Sequence, residues 1–497
     1  MIPKSRDALQ CVWLAHRRKI LRLYKNMNLK KILNIIYSIT KKEKVDVYAV
    51  GGFVRDRLLG FENSKDLDFV VIGSGLKFAK KFDEAMKQAG SLVEFPDFDT
   101  ARYVLPNLEL EFAGARIESY NETSRKPKVS ATNLEIDLQR RDFTVNAMAQ
   151  KVIASGLSKT IVDPFGGEKD LKNKILRTPL NPDTTFSEDP LRMLRAARFA
   201  SQLGFMIEAN TYEAMSRNCK RLRIVSAERI QEEFFKLLAT KKPSIGLRIL
   251  YDAGLFGMFL PEVKSLYGVD EVFGQIHKDV LEHTFKVVDN IAEKSDKVTL
   301  RLAGLLHDIG KPVTKKFVRG RGWTFDMHEH LGKKFVHIIG RRLRFSSDDT
   351  KYIAKLVRWH QQPIGLMDAK ITDSAIRRLI VTLGDELNDL LILCRSDITT
   401  GNPIKKDKRL KNYDYLEKRI TEVIETDKLR AFQSPVRGEE IMSVCGLKPG
   451  PTIGKIKDAI EEAILDGKIK NDYDEAKKYF EGIKDEYLKK AGEWEKI

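Results

Sequence analysis

Strand signals are confined to the first third of this chain. Between about Leu29 and Ile153, helical patterns alternate with short β-branched runs, "VDVYAV", "DLDFVVIG", "ARYVL" and "LELEFAG". After "DPFGG", Asp163 to Gly167, such runs stop and helical periodicity dominates. The pattern predicts a small mixed α/β head followed by helical regions. At 497 residues and 42% hydrophobic content the chain has room for sizeable cores, and its length fits roughly three domains.

The charge balance, Lys+Arg 88 against Asp+Glu 70, leaves +18. Spread along the chain, that excess points to a polyanionic partner or to a merely cationic surface. Cys11, Cys219, Cys394 and Cys445 lie far apart without CxxC pairing, which argues against a disulfide framework or a zinc ribbon and suits a reducing compartment. No apolar run approaches the roughly 20 residues that span a bilayer. The start, residues 1 to 28, is basic and interrupted by charges where a signal peptide would need its apolar centre, so it reads either as a basic helix or as an extension ahead of a later start at Met27. A cytoplasmic protein without a membrane or a protein partner is expected.

The stretch "GGFVRDRLLGFENSKDLDFVV" carries the first chemistry. Residues two apart on a strand share a face, so Asp66 and Asp68 bring two carboxylates together. A hard divalent cation is the natural compensation, and magnesium, held by carboxylates and substrate phosphates, fits best. Gly51 and Gly52 allow close backbone approach, the following helix start offers free N–H groups, and Arg55 adds charge for phosphate. Together they describe a site for a metal-bound nucleoside triphosphate; solvent-facing aspartates beside a glycine turn are the plainer alternative.

These residues resemble the signature of class II tRNA nucleotidyltransferases and bacterial poly(A) polymerases, in the polymerase-β-like superfamily. The resemblance continues in order through "RRDFTVNAMA", "DPFGG", "EDPLRMLRAARF" and "AERIQEEF". It implies an α+β multidomain protein: a mixed-sheet nucleotidyltransferase head, then an all-helical neck, an HD domain and a tail. It also implies that an RNA 3′-hydroxyl attacks the α-phosphate of a nucleotide while Asp66 and Asp68 hold two magnesium ions. A third carboxylate on a neighbouring strand would complete that site; Glu111 is the candidate, and Glu109 shares its face. Arg141, Asp142 and Asn146 of "RRDFTVNA" would recognise ribose and phosphates, with Phe143, Val145 and Ala147 packing inward.

"FSEDPLRMLRAARF" predicts a helix with Ser187 as N-cap and Glu188, Asp189 and Pro190 in its first turn. Asp189 and Arg192 would then share a face, an acceptor-only group beside a donor-only group. Cytosine and adenine present an amino donor next to a ring-nitrogen acceptor, where uracil and guanine present a carbonyl. The pair could accept CTP and ATP and reject UTP and GTP, and the resemblance implies the same role; an ordinary helix-start ion pair is the alternative. Arg195 and Arg198 follow at three-residue intervals, facing RNA or solvent.

A second chemistry lies in "HKDVLEHTF", "LLHDIGKP", "HEHLG", "VRWH" and "CRSDITT". A His-Asp doublet with further His and Asp from other helices suits a transition metal with mixed ligands. It resembles an HD-superfamily phosphohydrolase. That resemblance implies His283, His307, Asp308 and Asp397 as primary ligands, and His328 and His360 on a second metal; His277 and His337 are read as ordinary residues. "TTGNPIKKDKRLKNYDY" reads as a charged connector, and "LKPGPTIGKIKDAIEEAIL" resembles the family's tail segment, its lysines suited to phosphate-backbone contacts, with a charged solvated helix as the alternative.

The expected parts are a basic extension over 1–28, the head over 29–165, a neck for nucleotide selection and RNA over 166–265, the HD domain over 266–400 and a tRNA-binding tail over 401–497. The expected activity is addition of CCA to tRNA from CTP and ATP, with an HD phosphohydrolase activity besides. The alternatives are a poly(A) polymerase, an enzyme that adds CC alone or A alone, and an HD phosphohydrolase with a non-catalytic RNA-binding head.

Overall fold

The four strand runs read from the sequence all enter one sheet. The computed structural model describes residues 28–496 except 62–64, 122–123, 269, 273–274, 278–279, 368–370 and 428–433; the basic start through Met27 lies outside the described residues. The sheet contains β1 (Val47–Val50), β2 (Asp66–Val71), β3 (Ser91–Phe95), β4 (Thr100–Leu105), β5 (Leu108–Gly114), β8 (Ala149–Ile153) and β9 (Gly156–Val162) in the order β3-β4-β5-β2-β1-β8-β9. β6 (Arg116–Asn121) and β7 (Ser124–Ala131) pair with each other as a separate hairpin. β2 runs parallel to β5 and antiparallel to β1, so the sheet is mixed.

One face of this sheet is covered by α1 (Leu29–Glu43) and α3 (Gly75–Ala85). Asn28 caps α1 by accepting from the Lys31 N–H at 3.0 Å, and its stripe of Ile32, Leu33, Ile36 and Ile39 is buried. Phe78 and Phe82 from α3 meet Phe112 at 5.3 and 5.1 Å, and Phe69 stacks on Phe112 at 5.5 Å. Burying rings such as Phe82 and Phe112, both fully inaccessible, stabilises the fold by roughly 1.5–3 kcal/mol each. Along β2 the core therefore takes Leu67, Phe69 and Val71. By alternation Asp66 and Asp68 point to the opposite face.

Beyond the head, helices dominate, with α5 (Gly167–Asn173), α6 (Pro182–Glu188), α7 (Leu191–Leu203), α8 (Ala209–Asn218), α9 (Ala227–Leu238) and α10 (Pro243–Asp252) in the first half. Strands do not stop entirely after Gly167: Ile175–Leu176 pairs in parallel with Met206–Ile207, and two short hairpins follow at 270–277 and 316–324. The chain divides into two units, Met1–Leu237 with Ile245–Phe259, and Leu238–Ser244 with Leu260–Ile497.

In the second unit α11 (Val280–Ala292), α12 (Val298–Leu306), α13 (His328–Leu343), α14 (Ser347–Trp359) and α15 (Leu387–Ser396) form a bundle. Arg301, 2% exposed, is satisfied by backbone carbonyls of Leu238 at 2.7 Å, Thr240 at 2.8 Å and Ser295 at 3.0 Å. The expected charged connector is a helix, Pro403–Asp427; Pro403 opens it, and the lysines and arginines that suggested a linker lie mostly on its exposed surface. Further on, Val436, Ile441, Ile456, Ile460 and Phe480 build a core of their own. The PGP turn opens the helix Pro451–Leu465, whose first turn is held by Glu495, which accepts from the Thr452 N–H at 2.9 Å.

Candidate active sites

Parallel pairing of β2 with β5 sets Asp68 opposite Glu111 and Asp66 opposite Glu109, so four carboxylates occupy two adjacent rows of one sheet face. Arg102 from β4 reaches across, 3.0 Å from Glu111 and 3.4 Å from Glu109. Burial, then the charges of Glu111 and Asp66, push the Asp68 carboxyl up to about 6 against the pull of Arg141 and Arg102. Such a group calls for more positive charge than the protein supplies, and its donors are all hard oxygens. The set fits magnesium.

The glycine turn is built for close approach. Gly51 has φ +70, and a Cβ there would lie 3.0 Å from Arg141 Nη1 and 3.4 Å from Asp68 Oδ2. From α2 (Gly52–Leu58), Arg55 turns back to donate to Asn146 Oδ1 at 2.8 Å. Asn146 in turn donates to Asp142 Oδ1 at 3.0 Å, and Asp142 takes two bonds from Arg195 at 2.8 and 2.6 Å. Burial would raise the Asp142 carboxyl, but Arg195 and Asn146 outweigh it and hold it at about 2. Glu233 then joins Arg195 at 3.5 Å to Arg198 at 2.8 Å, and Arg198 lies 4.0 Å above the Phe199 ring. Arg195 and Arg198 are thus tied into a wall of alternating charge, with the Arg195 side chain about one-third exposed.

Asp189 and Arg192 arrive differently from the expectation. Ser187 lies inside α6, which ends at Glu188, and α7 starts at Leu191 after Pro190. Asp189 is extended, at φ −132 and ψ 97, because the residue before a proline is pushed out of the helical region. It stands in a break between helices rather than on a shared helical face. Its carboxylate accepts from the Leu191 N–H at 3.2 Å and pairs with Arg229 at 3.0 Å, while buried Arg192 donates to the Thr185 carbonyl at 3.2 Å and to that of Arg140.

All the head residues singled out from the sequence, from Gly51, Gly52 and Arg55 to Asp189, Arg192, Arg195 and Arg198, line one cavity of about 810 Å³. Arg141 is part of its wall, and its Nε is buried without a hydrogen-bond partner. Arg102, Arg140, Arg229, Glu233 and Lys236 line it as well, none of them a site candidate from the sequence. Arg229 and Glu233 sit in the quoted "AERIQEEF" motif, which marked them; Arg102 carries no sequence signal beyond its place two strands from Asp68.

The second site gathers His283 from α11, His307 and Asp308 after α12, His328 opening α13, His360 after α14 and Asp397 after α15. His307, His328 and His360 share one device: each Nδ1 donates to the carbonyl three residues earlier, Gly304, Phe325 and Val357, at 2.7–2.8 Å. His283 Nδ1 instead meets Thr399 Oγ1 at 2.7 Å. The three carbonyl bonds place the proton on Nδ1 and leave Nε2 as the ligand atom of His307, His328 and His360, whereas the Thr399 hydroxyl, able to donate or accept, orients the His283 ring without choosing its tautomer.

The ligand atoms form two groups, His283, His307 and Asp397, and Asp308, His328 and His360. Asp308 stands between them, with Oδ2 3.2 Å from His307 Nε2 and Oδ1 3.5 Å from His328 Nε2. His328 and His360 set their Nε2 atoms 3.4 Å apart. Buried His307 Nε2 and Asp308 Oδ1 have no hydrogen-bond partner. Burial disfavours a charged ring at His307, yet Asp308 and Asp397 lift it to about 10, while burial and His307 keep His360 down at about 4. Nitrogen and oxygen donors with orphaned lone pairs fit transition-metal ions. His337, on α13, belongs to neither group, and the side chain of His277 lies outside the described residues.

Comparison with known proteins gives the chain its family. Residues 47–177 match the poly A polymerase head domain, 204–267 the probable RNA and SrmB-binding site of polymerase A, and 280–392 the HD domain. The CC-adding tRNA nucleotidyltransferase of Thermus thermophilus is 31% identical over 434 residues, 85% of this chain and 91% of that protein. This chain belongs to the tRNA nucleotidyltransferase family. Within that family the Multifunctional CCA protein of Vibrio cholerae is 35% identical over 322 residues, 61% of this chain and 73% of its own. The A-adding tRNA nucleotidyltransferase of Deinococcus radiodurans is 32% identical over 349 residues, 68% and 76% of the two chains. A solved structure of the Bacillus stearothermophilus CCA-adding enzyme in complex with CTP shares the fold, with TM-score 0.62 and 22% identity over 92% of this chain and 98% of that one. The polymerase-β-like head and the HD domain are thus those of a tRNA nucleotidyltransferase, a family whose two domains use divalent metals. No described helix is long and apolar enough to cross a membrane.

Proposed function

We propose that this tRNA nucleotidyltransferase adds C, C and A to tRNA 3′ ends from CTP and ATP, releasing pyrophosphate, and acts in the cytoplasm. The observation that carries the reading is the meeting, in one cavity, of the Asp66, Asp68 and Glu111 carboxylates with the base-reading candidates Asp189 and Arg192. In this reading Asp66, Asp68 and Glu111 would hold magnesium, which would supply positive charge for the pyrophosphate leaving group and for the 3′-hydroxyl. Arg141 and Arg55 take up triphosphate oxygens, and Gly51 keeps the space between Arg141 and Asp68 free of side chain. Asp189 accepts the exocyclic amino group of cytosine or adenine while Arg192 donates to the ring nitrogen beside it. The Asp142–Arg195–Glu233–Arg198 wall holds both in register, so Asp142 acts mainly through its neighbours.

The head, neck, HD and tail division carries over as working parts: head and neck for transfer and selection, tail for the tRNA backbone. In the HD centre the two histidine and aspartate groups would hold transition metals, whose charge supports phosphate-ester hydrolysis. A second reading, an enzyme adding CC alone or A alone, is favoured by the likeness to the CC-adding Thermus and A-adding Deinococcus relatives.

The test incubates the protein with magnesium and tRNAs ending before, within or after CCA, with CTP and ATP given separately and together. Growth that stops at CCA is expected. Growth stopping at CC, or starting from CC alone, selects the second reading; an open A ladder would mark a poly(A) polymerase. No incorporation by folded protein would leave an HD phosphohydrolase with an RNA-binding head.

A further inference from the structure

The hairpin between Asp308 and His328 has no evident task in either site. Its strands, Lys316–Val318 and Gly322–Thr324, are three residues each, too short to be stable as an isolated pair. One helical turn, Lys311–Thr314, separates it from Asp308, and a short turn joins it to His328. Both its ends are thus tied to members of the His/Asp centre.

Its side chains are of two kinds. Lys315, Lys316, Arg319 and Arg321 put four cations on about ten residues; Lys316, Arg319 and Arg321 are exposed, and the ion pair of Arg321 with Asp326, at 3.6 Å, is about two-thirds exposed and weak. Between the cations lie rings: Lys315 Nζ is 4.6 Å from the Trp323 centroid, and Phe317 meets Trp323 edge-on at 5.4 Å. The same alternation reaches the centre itself, where Lys311 Nζ touches Asp308 Oδ2 at 2.5 Å and lies 5.6 Å from the Phe325 ring. Cation and aromatic pairs therefore run from a candidate ligand along the hairpin as far as Trp323, with the cations Arg319 and Arg321 beyond them at its tip.

We propose that residues 315–325 form a docking arm for single-stranded RNA that delivers a terminal phosphate to the His/Asp centre. Cations spaced along a groove track a phosphate backbone, and aromatic faces between them stack bases regardless of sequence. At about 3.3 Å per residue the arm spans more than one nucleotide, so it selects an oligonucleotide end over a free nucleotide. A solvated hairpin would need neither the interleaved rings nor the connection to Asp308. The proposal rests on the phosphohydrolase reading of the centre only for the fate of the phosphate, not for the docking.

The test uses full-length metal-loaded protein and a short RNA that ends in a 2′,3′-cyclic phosphate and carries 4-thiouridine at the nucleotide before the terminal one. Irradiation and peptide mapping should place crosslinks within 315–325, and Arg319→Glu with Arg321→Glu should reduce them about tenfold at unchanged metal content and melting temperature. The double variant should also slow hydrolysis of that RNA about tenfold more than hydrolysis of a 2′,3′-cyclic mononucleotide. Crosslinks confined to other segments, or equal slowing of both substrates, would overturn the arm. Displacement of the RNA from the hairpin by an acidic peptide as efficiently as by unlabelled RNA would overturn its assignment to nucleic acid. Hairpin crosslinks without hydrolysis of either substrate would uphold the arm and remove the phosphohydrolase reading; Asp308→Ala should reproduce that pattern.

Discussion

The two candidate sites gather negative charge in opposite ways. In the head, carboxylates stand two apart on neighbouring strands, partly open, with guanidinium groups of Arg102 and Arg141 among them. In the His/Asp centre the ligands sit at helix ends, most of them fully buried, with ring nitrogens pre-set by backbone carbonyls. The first arrangement suits a cation that comes and goes with its nucleotide. The second suits ions that stay.

The sharpest way to break this contrast is to crowd the head alone. Gly51→Val would strain a left-handed position and drive a side chain against Arg141 and Asp68. Incorporation should fall at least about 100-fold, as expected for a displaced reacting group, while metal bound in the His/Asp centre, read by elemental analysis, stays constant. Asp189→Ala removes a charged acceptor worth roughly 1.5–3 kcal/mol. The ratio of kcat/KM for CTP over UTP should drop about 10–100-fold with a smaller loss for CTP itself; an unchanged ratio would remove Asp189 from base selection.

The pre-set centre offers one mutable support. Three of its histidines are held by backbone, which no substitution removes, but His283 is held by the Thr399 hydroxyl. Thr399→Val should weaken metal affinity about 10–100-fold, measured by competition with a chromogenic chelator. The smallest effect concerns Asp68. Its carboxyl is raised from 3.8 to about 6, so between those values the folded state holds a proton that the unfolded state has lost, and stability falls as pH rises through the window. At pH 7.5 in chelator, Asp68→Asn should therefore be more stable than the parent by about 1–2 kcal/mol in denaturant unfolding, discounting for partial exposure. The gain should vanish near pH 4, and magnesium should stabilise the parent more than the variant.

Much of this was legible in the sequence because strand periodicity is rigid. Once "DLDFVV" is a strand with one buried face, Asp66 and Asp68 must share the other, and "LELEFAG" places Glu109 and Glu111 by the same rule. β3, β8 and β9 were not read as strands: β3 is an edge strand with mostly exposed residues, and β9 is half exposed, so neither shows a strong apolar period. The placement of Asp189 failed for a reason the sequence does contain, since Pro190 bars the preceding residue from a helix. The Arg195 and Arg198 partners were not legible, because Asp142 and Glu233 come from distant segments. Likewise the ligand histidines could be named, but their division around Asp308 depends on how five helix ends converge.

The central claim is that one chain carries two separable metal-dependent chemistries. The most direct test measures, in the same preparations, nucleotide incorporation into tRNA lacking CCA and cyclic-phosphate hydrolysis, for the parent, Asp68→Ala and Asp308→Ala. A crossed result is expected: Asp68→Ala abolishes incorporation and keeps hydrolysis, and Asp308→Ala does the reverse. Incorporation surviving in Asp68→Ala, or both activities lost together in either folded variant, would contradict it.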